Sequence, residues 1–317
     1  MSHQAKVLSV RNLRKVFKSG GFFLQSGNDK VAVQDFSFDL HEGETLAIVG
    51  ESGSGKSTTA RLAMRLLALD KGTVVWGDTD VTTLSGKALR NERKRIQMVF
   101  QDPFASLNPK MKVVDTVGEG LRVHNPSLSK AQRREKVAET LQLCGLNEEA
   151  LDRYPHQFSG GQRQRIGIAR ALIVEPNVLV LDEPVSALDV SVQAQILNLL
   201  KQLQQEQGLA YLFISHDLSV VQHIADRVMV MFAGFVVEEG DIEQVFNQPK
   251  HPYTKSLLDA KPIAHPNERQ EIVDMAVDEG VASEGCVFAL RCPFAKDECK
   301  TFNMQMKNKV ACLFPLA

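Results

Sequence analysis

The chain has 317 residues, 44% of them hydrophobic and 24% charged, with a formal net charge of −1. This length corresponds to about two domains, and the composition is that of an ordinary folded protein rather than a disordered one. The near-neutral charge argues against a surface dominated by nucleic-acid or anionic-lipid binding. Apolar runs such as Val228–Phe232 are far shorter than the about 20 residues of a membrane-spanning helix, and the first residues carry no apolar targeting segment. We therefore expect a cytosolic chain.

The first hundred residues read as strands interrupted by a glycine-rich loop. Apolar and polar residues alternate over 36–40, which predicts a half-buried strand. Residues 45–49 form a short continuous apolar run, as in a strand buried on both faces. Glycines at 50–55 end that strand, and we expect a helix over 56–69 and a further strand over 96–100.

The segment 102–159 is richer in helix-forming and charged residues. Ser129 and Gln132 have the spacing of a capping box, and Gly145 is placed to end the helix that begins there. The charge run at 130–136 is typical of a solvated helix face, with nucleic-acid binding as the minor alternative.

After this segment, strand and helix patterns alternate again. Residues 178–181 and 209–214 read as buried strands, and between them apolar residues over 196–203 recur at the spacing of one helix face. Such alternation predicts an α/β fold with a mainly parallel sheet and helices on both faces. Prolines between 249 and 266 mark a boundary before a final cysteine-bearing segment.

The strongest motif is Gly50–Ser57, which satisfies G-x-x-x-x-G-K-S between an apolar strand and a helix. The glycines let successive backbone N–H groups point at one anion, and the helix N-terminus adds positive potential. The ammonium of Lys56 is expected to reach the outer phosphates of a nucleotide, and the hydroxyl of Ser57 to hold Mg²⁺. The alternative is a glycine-rich turn that binds no ligand.

Two adjacent acids, Asp182 and Glu183, directly follow the predicted strand 178–181. Carboxylates are costly to desolvate at the end of a buried strand, and a bound Mg²⁺–nucleotide would explain them. Asp182 then orients the metal and Glu183 polarises a water for attack on the γ-phosphate. The alternative is an exposed acidic turn.

A third motif, Phe158-Ser159-Gly160-Gly161-Gln162, precedes a predicted helix. With it the chain resembles the ATP-binding subunits of ABC transporters, whose six sequence elements occur in the family's order over residues 7–246. The matching elements are the phosphate loop Gly50–Ser57 (Walker A), Gln101 (Q-loop), Ser159–Gln162 (signature), Leu181–Glu183 (Walker B), Ser186–Asp189 (D-loop) and His216 (switch histidine). Phe17 occupies the place of the aromatic residue that stacks on adenine.

The resemblance implies a P-loop NTPase core with an antiparallel β subdomain, an inserted α-helical subdomain at about 102–164 and a Cys-rich C-terminal extension. The implied domains are an ATP-binding domain over 1–247 and an extension over 248–317. It further implies catalytic roles for Glu183, His216 and Gln101, and Mg²⁺ ligation by Ser57, Gln101 and Asp182. The residues expected to bind ATP are Phe17, Gly50, Ser52, Gly53, Ser54, Gly55, Lys56, Ser57, Thr58, Gln101, Ser159, Gly160, Gly161, Gln162, Asp182 and Asp189.

In that family, ATP lies between the phosphate loop of one subunit and the signature motif of its partner. Ser159, Gly160 and Gly161 offer a hydroxyl and free N–H groups at a second helix N-terminus, which suits this arrangement. Asp189 is also expected to cap the helix that begins near Val190. ATP would therefore hold two subunits together, and its hydrolysis would release them.

Residues 101–109, 153–158 and 251–254 resemble the peptide-importer branch of the family, which includes oligopeptide, dipeptide and nickel systems. This implies a peripheral subunit on the cytoplasmic face of the membrane, paired with a second and different ATPase chain. Two transmembrane permease subunits and, indirectly, an extracytoplasmic solute-binding protein would complete the system, without nucleic acid. Nickel or an oligosaccharide is the alternative cargo. Phe104, Leu107 and Met111 are expected either to contact a permease helix or to form ordinary core.

Four cysteines, Cys286, Cys292, Cys299 and Cys312, cluster near the end of the chain. Their spacing is not that of a zinc ribbon, and in a reducing compartment such a cluster points to metal before disulfides. The resemblance implies a [4Fe–4S] cluster with a structural role; zinc and no metal are the alternatives. Cys144, within a helical pattern, reads as a small buried hydrophobe.

Two other classes compete with this interpretation. A soluble ABC protein acting on nucleic acid or ribosomes would commonly carry two cassettes or a long interrupting domain. A P-loop kinase would need an acceptor site and would have no use for Ser159–Gln162.

Overall fold

The computed structural model describes residues 5–18, 29–260, 280–282 and 284–317. Its strands are β1 Lys6–Phe17, β2 Lys30–His41, β3 Thr45–Val49, β4 Lys71–Trp76, β5 Thr79–Asp80, β6 Ile96–Val99, β7 Val178–Asp182, β8 Ala210–Ser215, β9 Arg227–Phe232 and β10 Phe235–Asp241. Its α-helices are α1 Lys56–Ala63, α2 Gly86–Glu92, α3 Val113–Val117, α4 Glu119–His124, α5 Lys130–Leu143, α6 Gly160–Leu172, α7 Val190–Gln207, α8 Leu218–Ile224, α9 Ile242–Asn247 and α10 Pro252–Asp259. Short 3₁₀ turns lie at Arg93–Arg95, Glu148–Asp152, Pro155–Gln157 and Asp297–Thr301.

A six-stranded sheet in the order β10-β9-β3-β8-β7-β6 forms the centre of the fold. The pairs β9–β3, β3–β8, β8–β7 and β7–β6 are parallel, whereas the edge pair β10–β9 of this sheet is antiparallel. Every residue of β3, β7 and β8 is buried, as their continuous apolar runs predict. The expected mainly parallel α/β sheet is confirmed.

Alternate residues of the central strands pack into two separate cores. Leu46 and Ile48 of β3 face a core shared with α1 and with a second, antiparallel sheet in the order β2-β1-β4-β5. Ala47 and Val49 of the same strand face the other core, which contains α6 and α7. The predicted alternation in β2 is confirmed, because Phe36, Phe38 and Leu40 are buried and their neighbours are less so.

Helices α3–α5 and the start of α6 lie between β6 and β7 in the chain. Ser129 and Gln132 form the expected capping box of α5. Gly145, at φ 72°, ends that helix with the N–H of Leu146 donating to the carbonyl of Leu141, as in a Schellman motif. Cys144 is fully buried, as predicted.

The predicted helix over 56–69 is shorter than expected, because α1 ends at Ala63. Arg65 takes a left-handed φ of 52°, and the N–H of Leu66 donates to the carbonyl of Arg61. This is again a Schellman ending, here with arginine where glycine is the common signal. Asp189 occupies the N-cap position of α7 as expected, but within the described chain its side chain makes no capping hydrogen bond.

The described residues after 248 include several that pack onto the same core. The N–H of Ala311 donates to the carbonyl of Val237 in β10, and the N–H of Glu239 donates to the carbonyl of Lys309. Phe288 is buried against Phe232 of β9. Across the described ranges, none of the helices has both the length and the apolar character that a membrane crossing requires.

Candidate functional site

The phosphate loop, Gly50–Ser57, connects the centre of the sheet to α1. Gly50 has a φ of 147° and Gly55 a φ of 109°, conformations that L side chains rarely adopt. A Cβ at Gly50 would lie 2.1 Å from the carbonyl oxygen of Met231, and one at Gly55 would lie 2.2 Å from that of Ala32. Glycine is therefore required at both positions by conformation and by space.

Lys56 is the buried cation of this loop. Its side chain is only 5% exposed, and its Nζ donates to the carbonyls of Gly50 and Glu51, each at 2.8 Å. Burial lowers the pKa of this ammonium, and the nearby carboxylates of Glu183, Asp182 and Glu51 act in the opposite direction. The phosphate loop thus holds the positive charge of Lys56 in a buried position, which suits it to bind an anion.

Asp182 ends β7 beside the start of α1, and the Oγ of Ser57 donates to its Oδ1 at 2.9 Å. The aspartate is 4% exposed, and burial raises its pKa. A hydroxyl and a carboxylate held side by side are hard oxygen ligands of the kind that Mg²⁺ prefers. These two predicted metal ligands are thus brought together.

Glu183 receives contacts from two neighbouring strand ends. The Nε2 of Gln101, which follows β6, donates to its Oε2 at 2.8 Å, and the Nδ1 of His216, which follows β8, lies 3.1 Å from its Oε1. Its backbone has a left-handed φ of 48° and its N–H donates to the carbonyl of Ile214 at 2.9 Å. Such a conformation costs free energy in a non-glycine residue and is often found at functional sites.

An open cleft of about 720 Å³ joins the phosphate loop to these catalytic candidates. The predicted residues that line it are Phe17, Gly50, Ser52, Gly53, Gly55, Lys56, Ser57, Thr58, Gln101, Glu183 and His216. Phe17 stands at its edge, 43% exposed. Ser54 instead lies buried in the loop, where its backbone carbonyl accepts the N–H of Gly234.

The cleft is also lined by four residues that the sequence did not predict: Lys30, Ala32, Glu51 and Leu257. Glu51 stands at a variable position of the motif G-x-x-x-x-G-K-S, so the motif did not indicate a role for it. Leu257 belongs to α10 in the C-terminal extension, and only the resemblance of 251–254 to peptide importers pointed toward that helix.

The signature strip, Ser159–Gln162, lies outside this cleft. Ser159 caps α6: its Oγ accepts the N–H of Gln162, whose Oε1 accepts the N–H of Ser159. Both residues are exposed, as is Asp189 at the start of α7. The strip packs against α7, since a Cβ at Gly161 would lie 2.4 Å from a methyl group of Val192. Within a single chain, the signature strip is therefore not part of the cleft that contains the phosphate loop.

Comparisons with known proteins agree on the family. Residues 33–186 match the family described as ABC transporter, and residues 237–299 match the family region described as oligopeptide/dipeptide transporter, C-terminal region. The chain is 51% identical over 271 residues to the oligopeptide transport ATP-binding protein OppF of Streptococcus mutans, covering 85% of this chain and 86% of that protein. It is 46% identical to OppF of Escherichia coli, covering 92% and 90% of the two chains. The chain belongs to the ABC transporter family of ATPases.

Solved structures of ABC cassettes share the fold. The dimeric post-hydrolysis state of the ATP-binding cassette MJ0796, bound to ADP and Pi, superposes with a TM-score of 0.66 at 30% identity, covering 74% of this chain and 98% of that one. CbiO1 of Clostridium perfringens, part of an ABC transporter complex, has a TM-score of 0.67 at 30% identity, covering 77% and 92%.

The four cysteines of this ABC ATPase line one enclosed cavity with His251. The cavity holds about 20 Å³, room for about one water molecule. Burial raises the pKa of the Cys286 thiol to about 11 and raises the pKa values of Cys292 and Cys312. In the described ranges no group of three or more His, Cys, Asp or Glu side chains is arranged to hold a metal ion.

The expected [4Fe–4S] ligand set therefore converges on one small apolar cavity, but it is not arranged as a metal site in the part of the chain that the structure describes. The chemistry of the donors nevertheless fits such a group. Four sulfur atoms face one cavity, and the buried Nε2 of His251 beside them has no hydrogen-bond partner among the described residues.

The three residues considered for permease contact have different environments, and Met111 is partly buried. Leu107 is 2% exposed and belongs to the core, so the core alternative holds for it. Phe104 is exposed, with the guanidinium of Arg163 4.1 Å from its ring centroid.

A separate groove of about 280 Å³ runs between the end of β6 and helices α4 and α6; its lining includes Leu66, Phe100, Glu119 and Arg170.

Proposed function

We propose that this ABC ATPase hydrolyses ATP in the described cleft to power the import of small peptides across the cytoplasmic membrane. The observation that carries the chemistry is the carboxylate of Glu183, held by Gln101 and His216 at the open end of the cleft that begins at Lys56. The peptide cargo is supported by the C-terminal family region and by relatives that are oligopeptide transport ATP-binding proteins.

Each group in the cleft has a distinct task in this proposal. Phe17 stacks on the adenine, and the backbone N–H groups of Gly50 and Ser52–Thr58 bind the phosphates with the ammonium of Lys56. Glu183 accepts the proton of the attacking water, and His216 holds the γ-phosphate. Ser57, Asp182 and Gln101 would hold Mg²⁺, which neutralises charge on the phosphates when bound.

The signature strip of one subunit completes the cleft of its partner in this proposal. Ser159, Gly160, Gly161 and Gln162, with Asp189, contact the nucleotide bound by the second subunit. The exposure of Ser159 and Gln162 at the N-terminus of α6 and of Asp189 at that of α7, outside the lining of the chain's own cleft, supports this assignment. The partner is a second ABC ATPase, which we propose to be a different chain.

The wider assembly follows from the same function. We assign residues 1–247 to the ATP-binding domain, with a helical subdomain at about 102–164, and residues 248–317 to the extension. Two transmembrane permease subunits dock on the ATPase pair at the cytoplasmic face of the membrane, where this chain is peripheral. An extracytoplasmic solute-binding protein acts indirectly, and nucleic acid takes no part. The groove beside Phe100 and Leu66 is the proposed permease contact.

We further propose that Cys286, Cys292, Cys299 and Cys312 hold a [4Fe–4S] cluster. Their convergence on one cavity supports this. The cavity has room for about one water molecule, so its walls must move outward to admit the cluster. The thiols must also lose their protons to act as ligands. The bound group would stabilise a short extension with little core of its own.

Peptide uptake by cells that lack this gene tests the cargo. We expect uptake of a radiolabelled tripeptide to be lost, restored by the wild-type gene and not restored by Glu183→Gln. Nickel and maltotriose uptake serve as controls in the same cells. Normal tripeptide uptake together with a loss of nickel or maltotriose uptake would replace the peptide assignment with the corresponding alternative.

A further inference from the structure

The C-terminal extension contacts the phosphate loop at Glu51. The guanidinium of Arg291 donates to both carboxylate oxygens of Glu51, with Nη1 2.9 Å from Oε2 and Nη2 2.7 Å from Oε1. The backbone N–H of Glu51 donates to the hydroxyl of Tyr253 at 2.9 Å. Three hydrogen bonds thus fix both the side chain and the backbone of a loop residue from a part of the chain more than 200 residues away.

Both contacting side chains are held by an aromatic cluster. Tyr253 is buried, with its ring centroid 4.7 Å from that of Phe232 and 5.3 Å from that of Phe288. The guanidinium of Arg291 lies 5.3 Å and 5.6 Å from the same two rings, in cation–π geometry. Because the cluster restricts their rotamers, the two residues lose little entropy when they hold Glu51.

Glu51 is well placed to transmit this support to the nucleotide. Its carbonyl accepts one of the two hydrogen bonds from Lys56 Nζ, so the orientation of the Glu51 peptide helps to place the phosphate-binding ammonium. Glu51 lines the cleft, so the negative charge of its carboxylate would repel phosphate oxygens bound there. Arg291 pairs with that charge in a bidentate geometry.

We propose that Arg291 and Tyr253 are positioning residues for nucleotide binding. They hold the phosphate loop in its anion-binding shape through Glu51, and Arg291 offsets a carboxylate that would otherwise face the phosphates. The C-terminal extension is then part of the ATP site rather than an appendage to it. This inference rests on the proposed binding of ATP at the same loop.

Replacing Arg291 with Met in the full chain tests the side-chain contact. We expect the Kd for MgADP, measured by titration calorimetry, to rise about fivefold, which corresponds to about 1 kcal/mol. The pair is partly exposed, so a larger loss is not expected. In ATP hydrolysis, KM should rise by a similar factor while kcat at saturating ATP stays within about twofold, and Arg291→Lys should give an intermediate Kd.

A double-mutant cycle separates the contact with Glu51 from the packing of Arg291 on the aromatic rings. In a Glu51→Gln background, Arg291→Met should change the Kd by less than about twofold. The matched control is Lys300→Met, which breaks an ion pair with Asp297 in the same extension and should leave the Kd unchanged. An equal effect of Arg291→Met in both backgrounds would refute the inference, as would an equal effect of Lys300→Met.

Two further variants keep the outcomes distinct. Tyr253→Phe keeps the buried ring and removes the acceptor for the Glu51 N–H. If Arg291→Met does not fold, Tyr253→Phe must raise the Kd for MgADP, and an unchanged Kd contradicts the inference. Lys56→Ala tests the site itself. Lost MgADP binding in Lys56→Ala with unchanged binding in Arg291→Met overturns this inference alone, whereas retained binding in Lys56→Ala overturns the proposed ATP site.

Discussion

Glu183 shows how single residues from distant parts of the chain become one chemical unit. Gln101 and His216 contact its two carboxylate oxygens because β6, β7 and β8 are neighbouring parallel strands that end at the same edge of the sheet. Ligand sites in open α/β sheets are commonly built at this edge, outside the carboxyl ends of the strands. The arrangement gives Glu183 an amide donor on one oxygen and an imidazole on the other, which orients it toward the cleft.

Replacing Glu183 with Gln removes the proposed proton acceptor and keeps the size of the side chain. We expect steady ATP hydrolysis to fall by about 10²–10⁴-fold, the usual contribution of a general base. Nucleotide binding should persist, and with its partner ATPase the variant should accumulate in the closed, ATP-bound pair. Phosphate release and size-exclusion chromatography with ATP measure the two effects.

The matched control for this prediction is Glu149→Gln, at an exposed position of the 3₁₀ turn Glu148–Asp152. Its hydrolysis rate should equal that of the wild type. Near-normal phosphate release by Glu183→Gln would show that another group accepts the proton.

At the scale of elements, the N-terminal ends of α6 and α7 form one packed unit. Gly161 lies against Val192 so closely that a methyl group has no space there, whereas a methyl group at Gly167, further along α6, meets nothing within 4 Å. The signature strip is thus tied sterically to the segment that begins at Asp189. A change in the position of α7 must move the strip as well.

Substituting these two glycines with alanine should have opposite effects on stability. Gly161→Ala is expected to lower the free energy of unfolding by about 1–3 kcal/mol, because the side chain of Val192 is β-branched and cannot rotate away freely. Gly167→Ala should raise it by about 0.5–1 kcal/mol through helix propensity. Urea unfolding measures both values; a stable Gly161→Ala variant would contradict the steric link.

At the scale of the molecule, the C-terminal extension is built into the ATP-binding core. Residues near 310 pair with β10, Phe288 enters the aromatic cluster, and Leu257 of α10 lines the cleft. The cysteine cavity lies directly beside this cluster, since His251 and Phe288 line it. Because His251 and Phe288 line the cavity and pack in the core, a change in what the cavity holds should also change the stability of the core.

Metal analysis of protein purified without oxygen tests the proposed cluster. We expect brown colour and about four irons per chain, with both lost in Cys299→Ser. Cys144→Ser is the control, because Cys144 is buried at the end of α5 and does not line the cavity, so its replacement should leave the iron content unchanged. Stoichiometric zinc without iron would identify the alternative metal, and neither metal would contradict a metal site.

Much of the fold and of the cleft could be predicted from local patterns. The run Thr45–Val49 identifies a strand buried on both faces, and Gly145 identifies the end of α5, because each depends on the chemistry of a few adjacent residues. The end of α1 could not be predicted, since Arg65 adopts a conformation that sequence signals assign to glycine. Leu107 was equally ambiguous, because an apolar residue in a helical segment can face either core or solvent.

Local sequence patterns identify the phosphate loop, the acids after β7 and the glutamine and histidine at neighbouring strand ends. Their types and spacing reflect what a triphosphate requires, and that requirement is local. Tertiary packing alone shows that Glu51 of the loop pairs with Arg291 of the extension, that the signature strip does not line its own cleft, and that the cysteines meet at one small cavity. These features depend on which surfaces of distant segments pack together, and packing between distant segments leaves no periodic trace in the chain.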